Sequence, residues 1–223
     1  MGQHRDLPSM REDNIMSEII ILANSIKPGG HCIAGIDNRT GEWIRPISRE
    51  KRAIPKHVAG KIKLLDIVKI PLATDRPKDR YQRENRFVDS LDWKVVSNVS
   101  PKYIHKYCED CSIILHSHND RVSPEALDKM PFKEWKSLQL VRTNVKFERD
   151  SWDHSRWRAS FNDGAGKNLS LKVDYPEIVA KLGNDQQISS DCMLTISLAG
   201  PWAPPDGSRA EKCYKLVAGV IEL

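Results

Sequence analysis

No run in the 223-residue sequence approaches the roughly 18 consecutive apolar residues a membrane-spanning helix needs, and the opening segment MGQHRDLPSMREDNIM lacks the apolar stretch of a signal peptide. Both absences predict a soluble chain that stays in the cytoplasm. The signatures of common enzymes are missing too: no phosphate-binding P-loop, no G-x-S-x-G, no H-E-x-x-H and no dinucleotide fingerprint. Cysteine is sparse. Cys32, Cys108, Cys111, Cys192 and Cys213 are odd in number and irregular in spacing, in a chain large enough to fold without staples, so they read as reduced thiols. The first 15 or so residues show no hydrophobic period and predict a flexible lead over residues 1–17, with Met16 as an alternative start.

What the chain does have is apolar content, 39% of its residues, enough for one large core or two small ones. Its formal net charge of +5 is unevenly distributed. Residues 45–86 hold 13 Lys and Arg against 5 Asp and Glu, whereas the remainder holds 22 against 25. A concentrated basic segment suits a polyanion such as nucleic acid, because each phosphate neutralised releases counterions and adds affinity at low salt. The plainer reading is a solvated basic loop with no partner.

Apolar and β-branched runs recur between Gly, Pro, Asn and Asp clusters, so strands dominate the expectation. EIIILAN (18–24), HCIAGID (31–37) and EWIRPIS (42–48) form three strands, the last two joined by the turn NRTG. After REKRAIPKHVAG (49–60), with room for one helical turn, KIKLLDIVKIPL (61–72) and RFVDSLDWKVVS (86–97) supply two more. The same order returns with SLQLVRTNVKFE (137–148), SRWRASFN (155–162), KNLSLKVD (167–174), a short helix YPEIVAKLG (175–183), CMLTISLAG (192–200) and CYKLVAGVIEL (213–223). Three strands, a short helical piece and two more strands is the order of an OB-fold, a five-stranded Greek-key barrel. The expectation is therefore a mostly β chain of two tandem OB-like barrels, residues 18–100 and 136–223, joined by a partly helical connector (101–135) with a helix start at Ser123-Pro124-Glu125. A PUA-like or SH3-like barrel fits the first half nearly as well.

The blocks ILANSIKPGGHCIAGIDNRTGEWIRPIS, SLQLVRTNVKF, WRASF, LKVDYP, LTISLAGPW and CYKLVAGVIEL resemble the bacterial dual OB-containing domain family over about residues 18–223. The resemblance implies two OB-folds and a place in prokaryotic conflict or defence systems, with a nucleic-acid or nucleotide-related role. It carries no catalytic motif.

In an OB-fold the hairpin of strands two and three and the loops joining strands one to two and four to five form the binding face. In the first barrel those loops are NSIKPGGH, with Lys27 and His31, and PLATDRPKDRYQRENR, with Arg76, Lys78, Arg80, Tyr81, Arg83 and Arg86. Single-strand binders combine a positive groove with aromatic planes on which bases stack. Trp43 and Arg45 alternate along the hairpin and share a face. If that face is open they form a stacking platform beside a cation, and if it is the core face Ile44 is exposed instead. The second barrel offers Trp152, Trp157, Arg158, Trp202 and Arg209 at the corresponding places, a rim for a ligand or protein partner.

Two further constellations have plainer readings. Cys108, Cys111, His116 and His118 could supply four zinc ligands, but their spacing is poor, and the default is thiols and imidazoles of the connector with no metal. Asp37 and Glu42 beside the hairpin turn, with Asp66, could serve a metal-dependent nuclease, yet such turn carboxylates are usually solvated. The expectation is a binding module without a cofactor, taking single-stranded DNA or RNA as an accessory component of a bacterial system. The alternative is a module that binds a protein or senses a nucleotide-like small ligand.

Overall fold

Ile19, Ile20, Ile21 and Leu22 are all fully buried in the computed structural model, which describes residues 15–50, 52–110 and 112–223. They sit in β1 (Ile15–Lys27), and their lack of alternation marks a strand covered on both faces. Ile19 and Ile21 enter one apolar cluster with Ile33, Val68 and Ile70, while Ile20 and Leu22 enter another with Leu140, Met193 and Ile221 from the far end of the chain. Burying each such side chain stabilises the fold by roughly 1.5–3 kcal/mol. Strand begins at Ile15, before the expected end of the flexible lead; positions 1–14 of that lead lie outside the described residues.

The first sheet continues with β2 (Gly30–Asp37), β3 (Trp43–Ile47), the short helix α1 (Lys56–Ala59), β4 (Asp66–Leu72), β5 (Asn85–Phe87) and β6 (Lys94–Asn98), in the spatial order β5-β3-β2-β1-β4-β6. β3 and β5 run parallel, and a lone bridge between Leu72 and Val88 links the β5 end back to β4. Leu65, at φ 74°, breaks the expected strand over 61–72, so that pairing starts at Asp66. The expected strand over 86–97 is two strands on different neighbours. Between them the chain turns at Ser90, whose hydroxyl accepts the Asp92 N–H at 3.0 Å and whose carbonyl accepts the Trp93 indole N–H at 3.1 Å.

The connector holds α2 (Pro101–Ile104), β7 (Arg121–Val122) and α3 (Pro124–Asp128), with Ser123 capping the last by accepting the Ala126 N–H. The second sheet follows: β8 (Leu138–Asn144), β9 (Lys146–Arg149), β10 (Trp157–Asn162), β11 (Asn168–Val173), the helix α4 (Pro176–Gly183), β12 (Asp191–Trp202) and β13 (Lys212–Glu222). Its order is β8-β12-β13-β11-β10-β9, with β7 on β13. The first and last strands of that path are halves of one bent segment, broken at Val145, whose N–H goes to Ser190 O at 2.8 Å. The molecule is mostly β, thirteen strands among the described residues, with OB-type strand order in both halves. Neither ladder closes as an uninterrupted barrel.

The two sheets meet across β1, β12 and β13. Thr195 donates its hydroxyl to Leu22 O at 2.6 Å. A Cβ at Gly219 would lie 2.1 Å from that same carbonyl oxygen, so only glycine permits the approach.

Candidate functional site

The basic loop between β4 and β5 is pinned along its length. Tyr81 adopts φ 65° and is 1% exposed; its ring meets Trp135 edge-to-face at 5.0 Å and its hydroxyl donates to Asp128 Oδ1 at 2.5 Å. Burial, then the Asp128 bond, pushes the phenol well above its usual range. Gln82 donates to Leu198 O at 3.1 Å, and Arg52 forms an ion pair with Asp79. Buried Glu84 accepts from both the backbone N–H and the hydroxyl of Ser137. The loop is thereby fastened to the connector and to the second sheet.

Those cations line a cleft of about 590 Å³ bounded by Arg76, Lys78, Arg80, Arg83, Arg86, Asp79 and Glu42, with Phe132 and Trp135 of the connector as the facing wall. A recess of about 240 Å³ shares Glu42, Arg83, Arg86 and Trp135 with it and adds Trp43, Lys133 and Lys136. Arg80 is paired with Asp128 and Lys136 with Glu109. Among the described residues, Arg76, Lys78, Arg83, Arg86 and Lys133 have no ion pair with a carboxylate. The Arg86 guanidinium rests on the carbonyls of Arg83 (2.9 Å) and Asn85 (2.7 Å), and its pKa is lowered first by burial and then by Arg76 beside it. Phe132 is 60% exposed, meets Trp135 edge-to-face at 5.2 Å and carries the Arg83 guanidinium 5.8 Å from its centroid. An anion entering here relieves like-charge repulsion, and a planar group finds an aromatic face beside it.

The model of the dual OB-containing domain matches residues 17–220. The chain belongs to that family. No curated protein matches it in sequence. Among solved structures, this dual OB-containing chain is similar to the p204 HINb domain at 9% identity, covering 92% of this chain and 97% of that one with a TM-score of 0.35. It is also similar to the Ifi202 HINa domain, solved in complex with a 20-base-pair double-stranded DNA, at 10% identity, 94% and 99% coverage and a TM-score of 0.32.

The cleft brings together five of the residues singled out in the sequence, Arg76, Lys78, Arg80, Arg83 and Arg86. It does not include Tyr81, whose ring is core and offers no face for stacking. Arg45 is 2% exposed and donates to Asn85 Oδ1 (3.2 Å), Ser137 Oγ (2.9 Å), Ser137 O (3.3 Å) and Ser197 Oγ (3.3 Å). It is therefore a buried linchpin and no part of an open face. Ile44 faces the core of the first half, and Trp43 on the other side of β3 is half-buried against two apolar clusters that the second half helps to build. Lys27 donates to Arg52 O at 3.0 Å and lines a different cleft, and His31 bonds Asn24 Oδ1 at 2.7 Å, its pKa lowered by burial and by Lys56.

In the second half, Trp152 is 95% exposed at the tip of an Asp150 turn, where Asp150 Oδ1 accepts the Trp152 N–H at 2.9 Å. Trp202 is exposed and lies 6.0 Å from Tyr214, edge-to-face, and Arg209 is exposed on the loop between β12 and β13. Arg158 is committed to Asp150 and Ser170, and Trp157 sits beneath the Arg149 guanidinium at 4.0 Å. Sequence reasoning missed Phe132, Lys133 and Lys136. The signal was the string PFKEWK, basic and aromatic together, inside a segment read as a connector.

Cys111 of the metal-like set lies outside the described residues. His116 Nε2 is bonded to the Lys136 backbone at 2.9 Å and His118 Nδ1 to Asp163 Oδ2 at 2.6 Å, so the two imidazoles serve separate partners. Burial raises the Cys108 thiol pKa. No group of three or more metal-binding side chains occurs among the described residues. Asp37 Oδ1 accepts the N–H groups of Arg39 (3.0 Å) and Thr40 (2.9 Å), and Asp66 Oδ2 accepts that of Lys63 (2.8 Å). Both carboxylates thus cap turns.

Proposed function

We propose that this chain binds nucleic acid, single strands in preference, in the cleft between the β4–β5 loop and residues 132–136. The observation that carries the reading is the set of cations without carboxylate partners among the described residues, Arg76, Lys78, Arg83, Arg86 and Lys133, beside the exposed ring of Phe132. Phosphates supply the missing counter-charge, and an unstacked base can lie on the phenyl face. A duplex keeps its bases stacked, so it gains the charge contacts without the ring. Phosphate contacts position a strand without reading its sequence, so affinity is expected to vary little with base composition. The family resemblance extends the proposal to an accessory binding component of a bacterial defence system, acting in the cytoplasm.

The test is fluorescence anisotropy of labelled single-stranded and double-stranded oligonucleotides at about 50 and 200 mM salt, with an Arg76→Glu/Lys78→Glu variant alongside. Tight, salt-sensitive binding of the single strand, lost in the variant, supports the reading. Absence of binding at the lower salt, or binding unchanged in the variant, overturns it.

A further inference from the structure

A second cleft, of about 480 Å³, shares no lining residue with the basic one and lies between the two halves of the molecule. Its volume is in the range that encloses a small ligand, about 300–1,000 Å³. One wall is Trp157. The Arg149 guanidinium sits 4.0 Å from the ring centroid and donates to His154 O at 3.1 Å, which fixes the plane of the indole. The floor is aliphatic, from Val173, Pro176 and Val179. The opposite wall is the turn between β1 and β2, fastened by the Ile26 N–H to Asp174 O at 3.1 Å, and it holds the side chain of Ile26 59% exposed at the rim.

Three cationic residues, Lys27, Arg156 and Lys172, line this space against one carboxylate, Asp174. Two of them are already neutralised, Arg156 by Asp153 at 2.8 Å and Lys172 by Asp174 at 2.6 Å. Lys27 instead donates to a neutral carbonyl, Arg52 O, at 3.0 Å. An aromatic side chain, an apolar floor and one cation without a carboxylate partner among the described residues match a planar ring that carries an anionic group.

We infer that this cleft binds a mononucleotide, its base against Trp157 and its phosphate toward Lys27. Base stacking on an indole contributes direction and most of the apolar contact. The phosphate supplies the charge that Lys27 lacks. Since one wall comes from each half, the ligand touches both. The inference stands apart from oligonucleotide binding at the basic cleft, because the residues involved are different.

Isothermal titration calorimetry of the full chain with AMP, adenosine and inorganic phosphate tests it, using Lys27→Glu, Trp157→Leu and Arg76→Glu/Lys78→Glu variants whose melting temperatures are recorded. AMP is expected to bind more tightly than either adenosine or phosphate. Lys27→Glu, a substitution on a rim side chain, is expected to weaken AMP by about tenfold or more, and the Arg76→Glu/Lys78→Glu variant to leave it within about twofold. Trp157→Leu adds a second check provided that it melts as a folded chain. No heat with millimolar AMP overturns the inference. So does phosphate binding as tightly as AMP, or AMP binding that survives Lys27→Glu and is lost in the Arg76→Glu/Lys78→Glu variant.

Discussion

Glu84 holds Ser137 with both carboxylate oxygens, Oε1 on the backbone N–H at 2.8 Å and Oε2 on the hydroxyl at 2.7 Å. Arg45 reaches the same hydroxyl from the other side, at 2.9 Å. A buried anion and a buried cation are thus joined through one serine that begins the second half of the fold. Removing one member of such a set is costly because the other charge remains buried without compensation.

Glu84→Ala is therefore expected to lower stability by about 3–5 kcal/mol in urea denaturation. Ser137→Ala, which removes only the shared hydroxyl, is expected to lower it by about 1–3 kcal/mol. An Arg45→Met/Glu84→Leu double variant should recover much of the loss, since it removes both charges together. A Glu84→Ala protein with an unchanged denaturation midpoint would falsify this account of the junction.

The cations of the basic cleft are not equivalent. Arg80 is held by Asp128, whereas Arg76 and Lys78 have no carboxylate ion pair among the described residues. In anisotropy titrations, Arg76→Ala/Lys78→Ala is expected to flatten the salt dependence of oligonucleotide affinity by about two phosphate contacts. Arg80→Ala is expected to have the smaller effect. Equal losses from the two would show that the Asp128 pair opens on binding.

Phe132 separates single strands from duplexes. Phe132→Ala is expected to weaken single-stranded binding by about 1–3 kcal/mol while leaving duplex affinity nearly unchanged. Phe132→Tyr, which keeps the ring, should restore binding. A loss of equal size on both substrates assigns the ring a structural role instead.

Lys215 on β13 is buried, with its ammonium donating to Ile114 O (2.6 Å), Ser117 O (2.6 Å), Ser117 Oγ (3.0 Å) and Asn119 O (2.7 Å). Burial lowers its pKa from 10.5 to about 8. The native chain therefore releases this proton near pH 8, while the unfolded chain keeps it to about pH 10.5. Over that window the unfolded state binds more protons, so the contribution of this group to stability rises with pH. Denaturation midpoints compared on either side of pH 8 should show the rise in the wild type and a smaller one in Lys215→Met. Equal pH profiles would assign the pH dependence to other groups.

Strand order was legible because punctuation and apolar runs are local properties. The helix α4 announced itself by Pro176 at its first position, and the tandem repeat of the order by the spacing of its turns. Burial of the hairpin was not legible. Alternation placed Trp43 and Arg45 on one face, and whether solvent or protein covers that face depends on Ser137, 92 positions away. Tyr81 is surrounded in sequence by charged and amide side chains and reads as a loop residue; its anchor, Asp128, lies 47 positions on. The basic wall of the cleft could be read from charge density, but its aromatic wall could not, because nothing local to PFKEWK says which loop it faces.

Ile20 and Leu22 are covered in part by Met193 and Ile221, residues that a ribosome makes about 170–200 positions later. At about 5–20 residues per second, this outer side of β1 waits on the order of 10–40 s for its cover during synthesis. Throughout that interval the nascent first half presents an incompletely covered isoleucine-rich strand face, a surface suited to holdase chaperones or to aggregation. Slowing elongation past residue 100 is therefore expected to reduce the soluble yield of the chain more than slowing it before residue 15.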